Sequence, residues 1–238
     1  MQRTAMRRPG VIRAVTFDVG GTLIEPWPSV GEVYAEVAAQ FGLTGVAPEA
    51  LNRQFARAWN AQEHFDYSRA AWRELVRRTF AGLSPEAPSD ACFDAIYQRF
   101  GSARAWRLFD DVLPTLAALK SRGLKLGLIS NWDERLRPLL DHWRLSPCFD
   151  ALTISHEAGS TKPAPEMFLR TATRLGLAPG SILHVGNSVA QDVAGAEAAG
   201  MRALLLDRSA AAGAAGRISS LRQLQAVLDE GRGDQPAD

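Results

Sequence analysis

After residue 112, short apolar runs alternate with stretches of helical spacing, and this alternation limits the possible folds more than any other feature of the chain. Residues 112–122 have helical spacing, 124–130 (LKLGLIS) read as a strand, and 134–142 as a helix. Residues 152–154 form a short strand, Pro165–Leu175 a helix closed by Gly176, and 182–185 a strand followed by a helix to Ala199 with Gly200 behind it. Residues 203–206 make a further strand, and 217–228 a final helix. Strands alternating with helices imply a parallel sheet joined by right-handed crossovers. A strand also opens the domain. Residues 13–19 (RAVTFDV) form a short apolar run rich in β-branched residues, interrupted by Arg13 and Asp18, and Gly20-Gly21 stops it with a tight turn.

Between residues 29 and 107 the pattern is helical alone. Val33, Val37, Ala38 and Phe41 lie on one helix face, ended by Gly42. Leu51, Phe55, Ala58 and Trp59 repeat the spacing, as do Trp72, Leu75, Val76 and Phe80, then Phe93, Ile96, Tyr97 and Phe100. The expected architecture is therefore an α/β core with a parallel sheet (residues 1–27 and 108–230), an inserted all-helical unit (28–107) and a flexible tail (231–238). The recurring Trp59, Trp72 and phenylalanines read as the core of that insert.

The overall charge of +1, from 27 basic and 26 acidic side chains, gives no bulk attraction to nucleic acid or to an anionic membrane. Cys92 and Cys148 have neither metal-site spacing nor a disulfide framework. Residues 1–10 are basic but no signal-peptide core follows them, and no apolar stretch is long enough to span a bilayer, so a cytoplasmic location is expected. The tripeptide Arg232-Gly233-Asp234 is read as coincidence. Oligomeric state, monomer or homodimer, is not legible.

In an open parallel sheet, ligands bind beyond the C-terminal strand ends. The first strand delivers Asp18, then Gly20, Gly21 and Thr22; the second delivers Ser130 and Asn131. Lys162 follows the third strand, and Asn187, Ser188 and Asp192 follow the fourth. Each has a plain reading too. Asp18 can cap a turn, Ser130-Asn131 can cap the next helix, Lys162 can be a surface lysine, Asn187 a turn residue, and Asp192 a first-turn acid on a helix dipole. His184, inside an apolar strand, reads as a hydrogen-bonded core residue.

Four ordered segments decide between these readings: residues 17–23 (FDVGGTL), 126–131 (LGLISN), 161–168 (TKPAPEMF) and 184–201 (HVGNSVAQDVAGAEAAGM). Together they resemble the four motifs of the haloacid dehalogenase-like superfamily, and the helical insert sits where one subfamily carries its cap. The resemblance implies a Rossmann-like three-layer core and Mg²⁺-dependent hydrolysis of a small phosphate monoester through an aspartyl-phosphate at Asp18. It implies that Asp18, Thr22, Ser130 and Lys162 act in catalysis, that Gly21 and Asn131 meet the substrate, and that Asp18, the Gly20 carbonyl, Asn187 and Asp192 hold the metal.

Two positions depart from the family's phosphatase pattern. Gly20 stands where an acid–base aspartate is usual, a loss of help worth roughly 10²–10⁴ in rate. Asn187 stands where many have aspartate. These departures leave two further readings open: a phosphate-binding relative without efficient turnover, and a metal-independent 2-haloacid dehalogenase with Arg53 or Arg57 holding the carboxylate. His64 and Glu25 are candidates to replace the missing acid, and Trp27 to shape the site entrance.

Overall fold

A computed structural model describes residues 11–62, 64–211 and 216–233. The basic stretch 1–10 and Asp234 onward lie outside the described residues. The chain divides into two compact units. One comprises the described residues within Met1–Leu23, Phe109–Asn131 and Pro147–Asp238; the other comprises Ile24–Leu108 and Trp132–Ser146.

The first unit is built on six parallel strands: β1 (Ala14–Phe17), β4 (Lys125–Ser130), β5 (Ala151–Ile154), β6 (Ile182–Gly186), β7 (Arg202–Leu206) and β8 (Arg217–Ile218), in the order β5-β4-β1-β6-β7-β8. All four residues of β1 are buried, which is why this strand reads as a nearly continuous apolar run interrupted only by Thr16. Phe17 pairs with Leu128 on one side and Val185 on the other. Asp18, Ser130 and the residues after Gly186 therefore leave the sheet at nearly the same level, and strand order reverses at β1, where such sheets bind ligands. Helices α5 (Val112–Ser121), α8 (Pro165–Leu175), α9 (Ala194–Ala198) and α10 (Leu224–Gly233) belong to this unit, with the single turn α7 (Ser155–Ala158).

Two expectations for this unit need correction. The helix expected after β6 begins as a π-helical turn, Val189–Val193, before α9. The final helix does not start at residue 217: Arg217–Ile218 extend the sheet as β8, and helix begins only past Ser220. There the Ser220 hydroxyl accepts from the Arg222 N–H and the Gln223 side chain closes back on the Ser220 N–H, fixing the start. The helix then continues to Gly233, into what the sequence suggested was tail.

The second unit holds α1 (Val30–Ala39), α2 (Pro48–Asn60), α3 (Arg69–Phe80) and α4 (Asp90–Arg99). Ser29, Ser68 and Ser89 cap α1, α3 and α4 with their hydroxyls, and Pro48 opens α2. The unit is not all-helical. A two-stranded antiparallel ribbon, β2 (Ile24–Pro26) with β3 (Trp106–Leu108), closes its base, and α6 (Leu136–His142) groups with it. Three residues per strand leave too little alternation to read from sequence. The segment after Asn131 is held here by Trp72 Nε1–H donating to Asp133 at 2.8 Å, by the Arg135–Asp133 ion pair, and by Tyr97 O–H donating to Glu134 at 2.8 Å. Trp59, Phe65, Tyr67 and Trp72 pack ring against ring, as a core does. His64, Arg53 and Arg57 are exposed. Glu25 pairs with Arg107 across the ribbon, and Trp27 lies under the same guanidinium. Among the described residues no helix is long and apolar enough to cross a membrane.

Candidate active site

Asp18 follows β1 directly, its N–H donating to the Val185 carbonyl. The chain then turns sharply at Gly21, which has φ +75°; a Cβ there would sit 2.3 Å from the Asn187 amide nitrogen. A side chain at this position would thus be both conformationally strained and blocked. The turn brings Thr22 back so that its hydroxyl donates to Asp18 Oδ2 at 3.2 Å.

Lys162 is the centre of the site. Its ammonium lies 2.6 Å from Asp18 Oδ1 and 2.6 Å from Asp192 Oδ1, and only 3% of the residue is exposed. It is no surface lysine. The Lys162–Pro163 peptide is cis. The backbone of Lys162 is held by Asn131: the Asn131 carbonyl oxygen accepts from the Lys162 N–H at 2.7 Å, and the Asn131 amide donates to the Lys162 carbonyl at 3.0 Å. Both ends of the Asn131 amide, a residue expected to meet the substrate, bond the Lys162 backbone.

Asp192 occupies the π-helical turn. Ser188 caps this turn by accepting from the Gln191 N–H, and Asp192 Oδ2 reaches back to accept from the Ser188 N–H at 2.9 Å. Gly186 permits this, since a Cβ there would lie 2.2 Å from the Asp192 carboxyl carbon. Asp192 Oδ1 also faces His184 Nε2 at 3.2 Å, and His184 Nδ1 lies 2.9 Å from the Thr16 hydroxyl. The reading of His184 as a hydrogen-bonded core residue holds, but its partner is a site carboxylate.

Two carboxylates and one ammonium leave one net negative charge in the buried cluster. Burial alone would lower the pKa of Lys162, but Asp18 and Asp192 outweigh it and hold the ammonium above its ordinary value. For Asp192, burial pushes upward, yet Lys162 and the His184 hydrogen bond bring it well below the usual carboxylate range. Asp18 is raised, chiefly by burial and further by Asp192, against the pull of Lys162. Asp192 is therefore the firmer anion of the pair.

Ser130 ends β4 with its hydroxyl buried and without a hydrogen-bond partner. Such orphaned groups are uncommon and call for a ligand atom. Asn187 is exposed and, with Gly21, borders a cleft of 430 Å³ that Asp207, Arg208 and Arg217 also line. Sequence reasoning missed Arg208. It donates to the Thr22 carbonyl at 2.7 Å and pairs with Asp111, so it fixes the loop after Asp18 from outside. An arginine two residues beyond a strand end carries no local signal of this.

Among the described residues, no three His, Cys, Asp or Glu side chains group as metal ligands. Of the residues expected to hold a metal, Asp18 is engaged by Lys162 and Thr22, and Asn187 is exposed beside Gly21.

The family model of the haloacid dehalogenase-like hydrolases matches residues 12–200. The chain is 34% identical over 206 residues to haloacid dehalogenase-like hydrolase domain-containing protein 3 of Homo sapiens, covering 82% of each. It is 30% identical over 207 residues to a glyceraldehyde 3-phosphate phosphatase of Methanopyrus kandleri, covering 80% of this chain and 82% of that protein. Among solved structures, a haloacid dehalogenase-type phosphatase of Thermococcus onnurineus superposes with a TM-score of 0.65 at 25% identity, over 91% of this chain and 98% of that one. With the motif order, the parallel sheet and these matches together, the chain belongs to the haloacid dehalogenase-like hydrolase family.

Proposed function

We propose that the protein hydrolyses small phosphate monoesters through a covalent aspartyl-phosphate at Asp18. One observation carries this reading: the buried, unpartnered Ser130 hydroxyl leaves the strand next to that of Asp18 at the same sheet edge. Neighbouring strands lie about 4.8 Å apart. A tetrahedral oxyanion at Asp18 would supply the missing acceptor. Asp18 attacks phosphorus, the P–O bond to the alcohol breaks, and the leaving oxygen takes a proton from solvent water, since position 20 carries no acid. Water then attacks the aspartyl-phosphate and regenerates Asp18 with release of inorganic phosphate. Lys162 offsets charge on the nucleophile and the transferred group, where a buried cation acts strongly.

On this reading Mg²⁺ would be held by the Asp18 carboxylate, the Gly20 carbonyl and the Asn187 side chain, hard oxygen ligands of the kind it prefers. Bound there, it would screen repulsion between Asp18 and the phosphate. Asp192 was assigned to the metal from sequence. Its engagement by Lys162, His184 and the Ser188 N–H supports a different role, that of orienting the lysine. On the family pattern the helical unit is the cap, and the substrate is a small phosphorylated molecule.

Gly20, where an acid–base aspartate is usual, favours a second reading, phosphate binding with slow turnover. Hydrolysis of an aryl phosphate, whose leaving group needs little acid, separates the two. Turnover that requires Mg²⁺, vanishes in EDTA and in Asp18→Asn, and falls roughly 100-fold in kcat in Ser130→Ala is the expected result. Binding of phosphate without turnover would favour the second reading, and activity that survives Asp18→Asn would end the first.

A further inference from the structure

We propose that His184 is a positioning residue for the site: through Asp192 it fixes the ammonium of Lys162 against the nucleophile, with Thr16 setting the orientation of its ring. This deepens the phosphatase reading and rests on it. The observation is one unbroken polar chain through the middle of an apolar sheet. It runs from the Thr16 hydroxyl in β1 to His184 Nδ1 at 2.9 Å, from His184 Nε2 to Asp192 Oδ1 at 3.2 Å, and from Asp192 Oδ1 to Lys162 Nζ at 2.6 Å. It ends with Lys162 Nζ on Asp18 Oδ1 at 2.6 Å.

The chemistry of each link assigns the hydrogens. An ionised carboxylate only accepts, so Nε2 carries the proton and donates to Asp192. In that tautomer Nδ1 accepts, and the Thr16 hydroxyl donates to it. The ring has little freedom to depart from this arrangement. It is 1% exposed and meets Phe168 edge-on, with centroids 5.1 Å apart. Phe168 in turn is pressed by the backbone of Gly195, where a Cβ would come within 2.6 Å of the phenyl ring.

A core position asks only for shape, and leucine or phenylalanine would fill it. Histidine adds a donor aimed at the one carboxylate that shares Lys162 with the nucleophile. Without that donor, Asp192 Oδ1 keeps Lys162 as its single partner and the ammonium is drawn away from Asp18. The ring itself meets neither nucleophile nor ammonium, so its effect passes through Asp192. Hydrogen-bonding supports of this kind are typically worth roughly 10–100-fold in activity.

The test joins kinetics to a readout that does not depend on turnover. In ¹⁵N-labelled protein, the His184 ring, assigned by its loss in His184→Gln, is expected as the Nε2–H form with a proton protected from solvent exchange. On an aryl phosphate, His184→Leu should lose roughly 10–100-fold in kcat while KM changes little. His184→Gln, which keeps an N–H near the Nε2 position, should recover most of that loss. An Nδ1–H ring, a solvent-exchanging Nε2 proton, or unaltered kcat in His184→Leu would overturn the proposal. Should the wild-type protein hydrolyse no phosphate ester, the phosphatase reading fails alone. The buried Lys162 ammonium signal then decides: kept in wild type and His184→Gln but lost in His184→Leu supports positioning, and unchanged in all three refutes it. Should His184→Leu not fold, the wild-type ring signature together with His184→Gln kinetics decides the matter by the same criteria.

Discussion

Asn131 shows how one side chain can matter for a site by placing the backbone of another residue. The Asn131 amide pairs with both backbone groups of Lys162, as one peptide pairs with another in a sheet, so the lysine's main chain is located before its side chain reaches the carboxylates. Asn131→Ala removes both hydrogen bonds and leaves a buried N–H and C=O unmatched. The expected cost is about 1–3 kcal/mol in urea unfolding, together with a fall in kcat on the aryl phosphate. Asn131→Asp keeps the acceptor but sets a carboxylate against the Lys162 carbonyl, and it should not restore the wild-type rate. Unchanged stability in Asn131→Ala would show that the amide does not clamp the lysine.

At the scale of an element, the turn after β6 carries the second acid by abandoning regular helix geometry. Val193 N–H and Asp192 N–H both donate to the Ser188 carbonyl, which widens the turn and lets the Asp192 carboxylate fold back over Gly186. π-helical turns of this kind are often found at functional sites. Gly186 is in ordinary extended backbone, so its need is steric and not conformational. Gly186→Ala should therefore drive Asp192 from its place while the strand itself remains compatible with alanine. The expected outcome is a folded protein with near-native far-UV circular dichroism and a loss of kcat comparable to that of Asp192→Ala. Wild-type turnover in Gly186→Ala would mean that Asp192 can shift without loss of its role. The helices of the second unit follow simpler rules. Serine caps start α1, α3 and α4 and Pro48 opens α2, while apolar spacing accounts for their buried faces.

Across the sheet unit as a whole, Asp111 ties together segments far apart in the chain. Its carboxylate accepts from both Arg208 terminal nitrogens at 3.0 and 2.9 Å, from the Ser220 hydroxyl at 2.7 Å and from the Leu221 N–H at 2.9 Å. Arg208 lies over the Phe109 ring and holds the Thr22 carbonyl. Burial would raise the Asp111 pKa, but these donors outweigh it and hold it below the usual carboxylate range. A folded-state pKa below the unfolded value means that the group stabilises the protein above that value. The contribution is lost as pH falls through the lowered folded pKa. Asp111→Asn should cost about 2 kcal/mol at pH 7 and should narrow its gap to wild type as the solution is acidified below pH 3.8. Urea melts at neutral and acid pH measure both. A constant gap would show that the ionised carboxylate is not what stabilises this junction.

Local rules made much of this protein readable. The apolar run ending at Asp18, the glycines that stop strands, the serines and prolines that start helices and the order of the four motifs all act over a few residues, and they account for a parallel core with a helical insert. They also located Asp18, Ser130, Lys162 and Asp192 at one edge of the sheet, because strand ends are legible and parallel strands align them. The supporting groups were not legible. Thr16 meets His184 across 168 residues, Asn131 meets Lys162 across 31, and Arg208 meets Thr22 across 186. Short elements escaped for a related reason. Arg217–Ile218 and the ribbon of β2 and β3 are too brief to show a period, and they are strands because a neighbour offers its hydrogen-bonding edge. Periodicity reports how a segment faces a core, whereas only the assembled sheet decides which distant polar groups share a buried volume and must satisfy one another there.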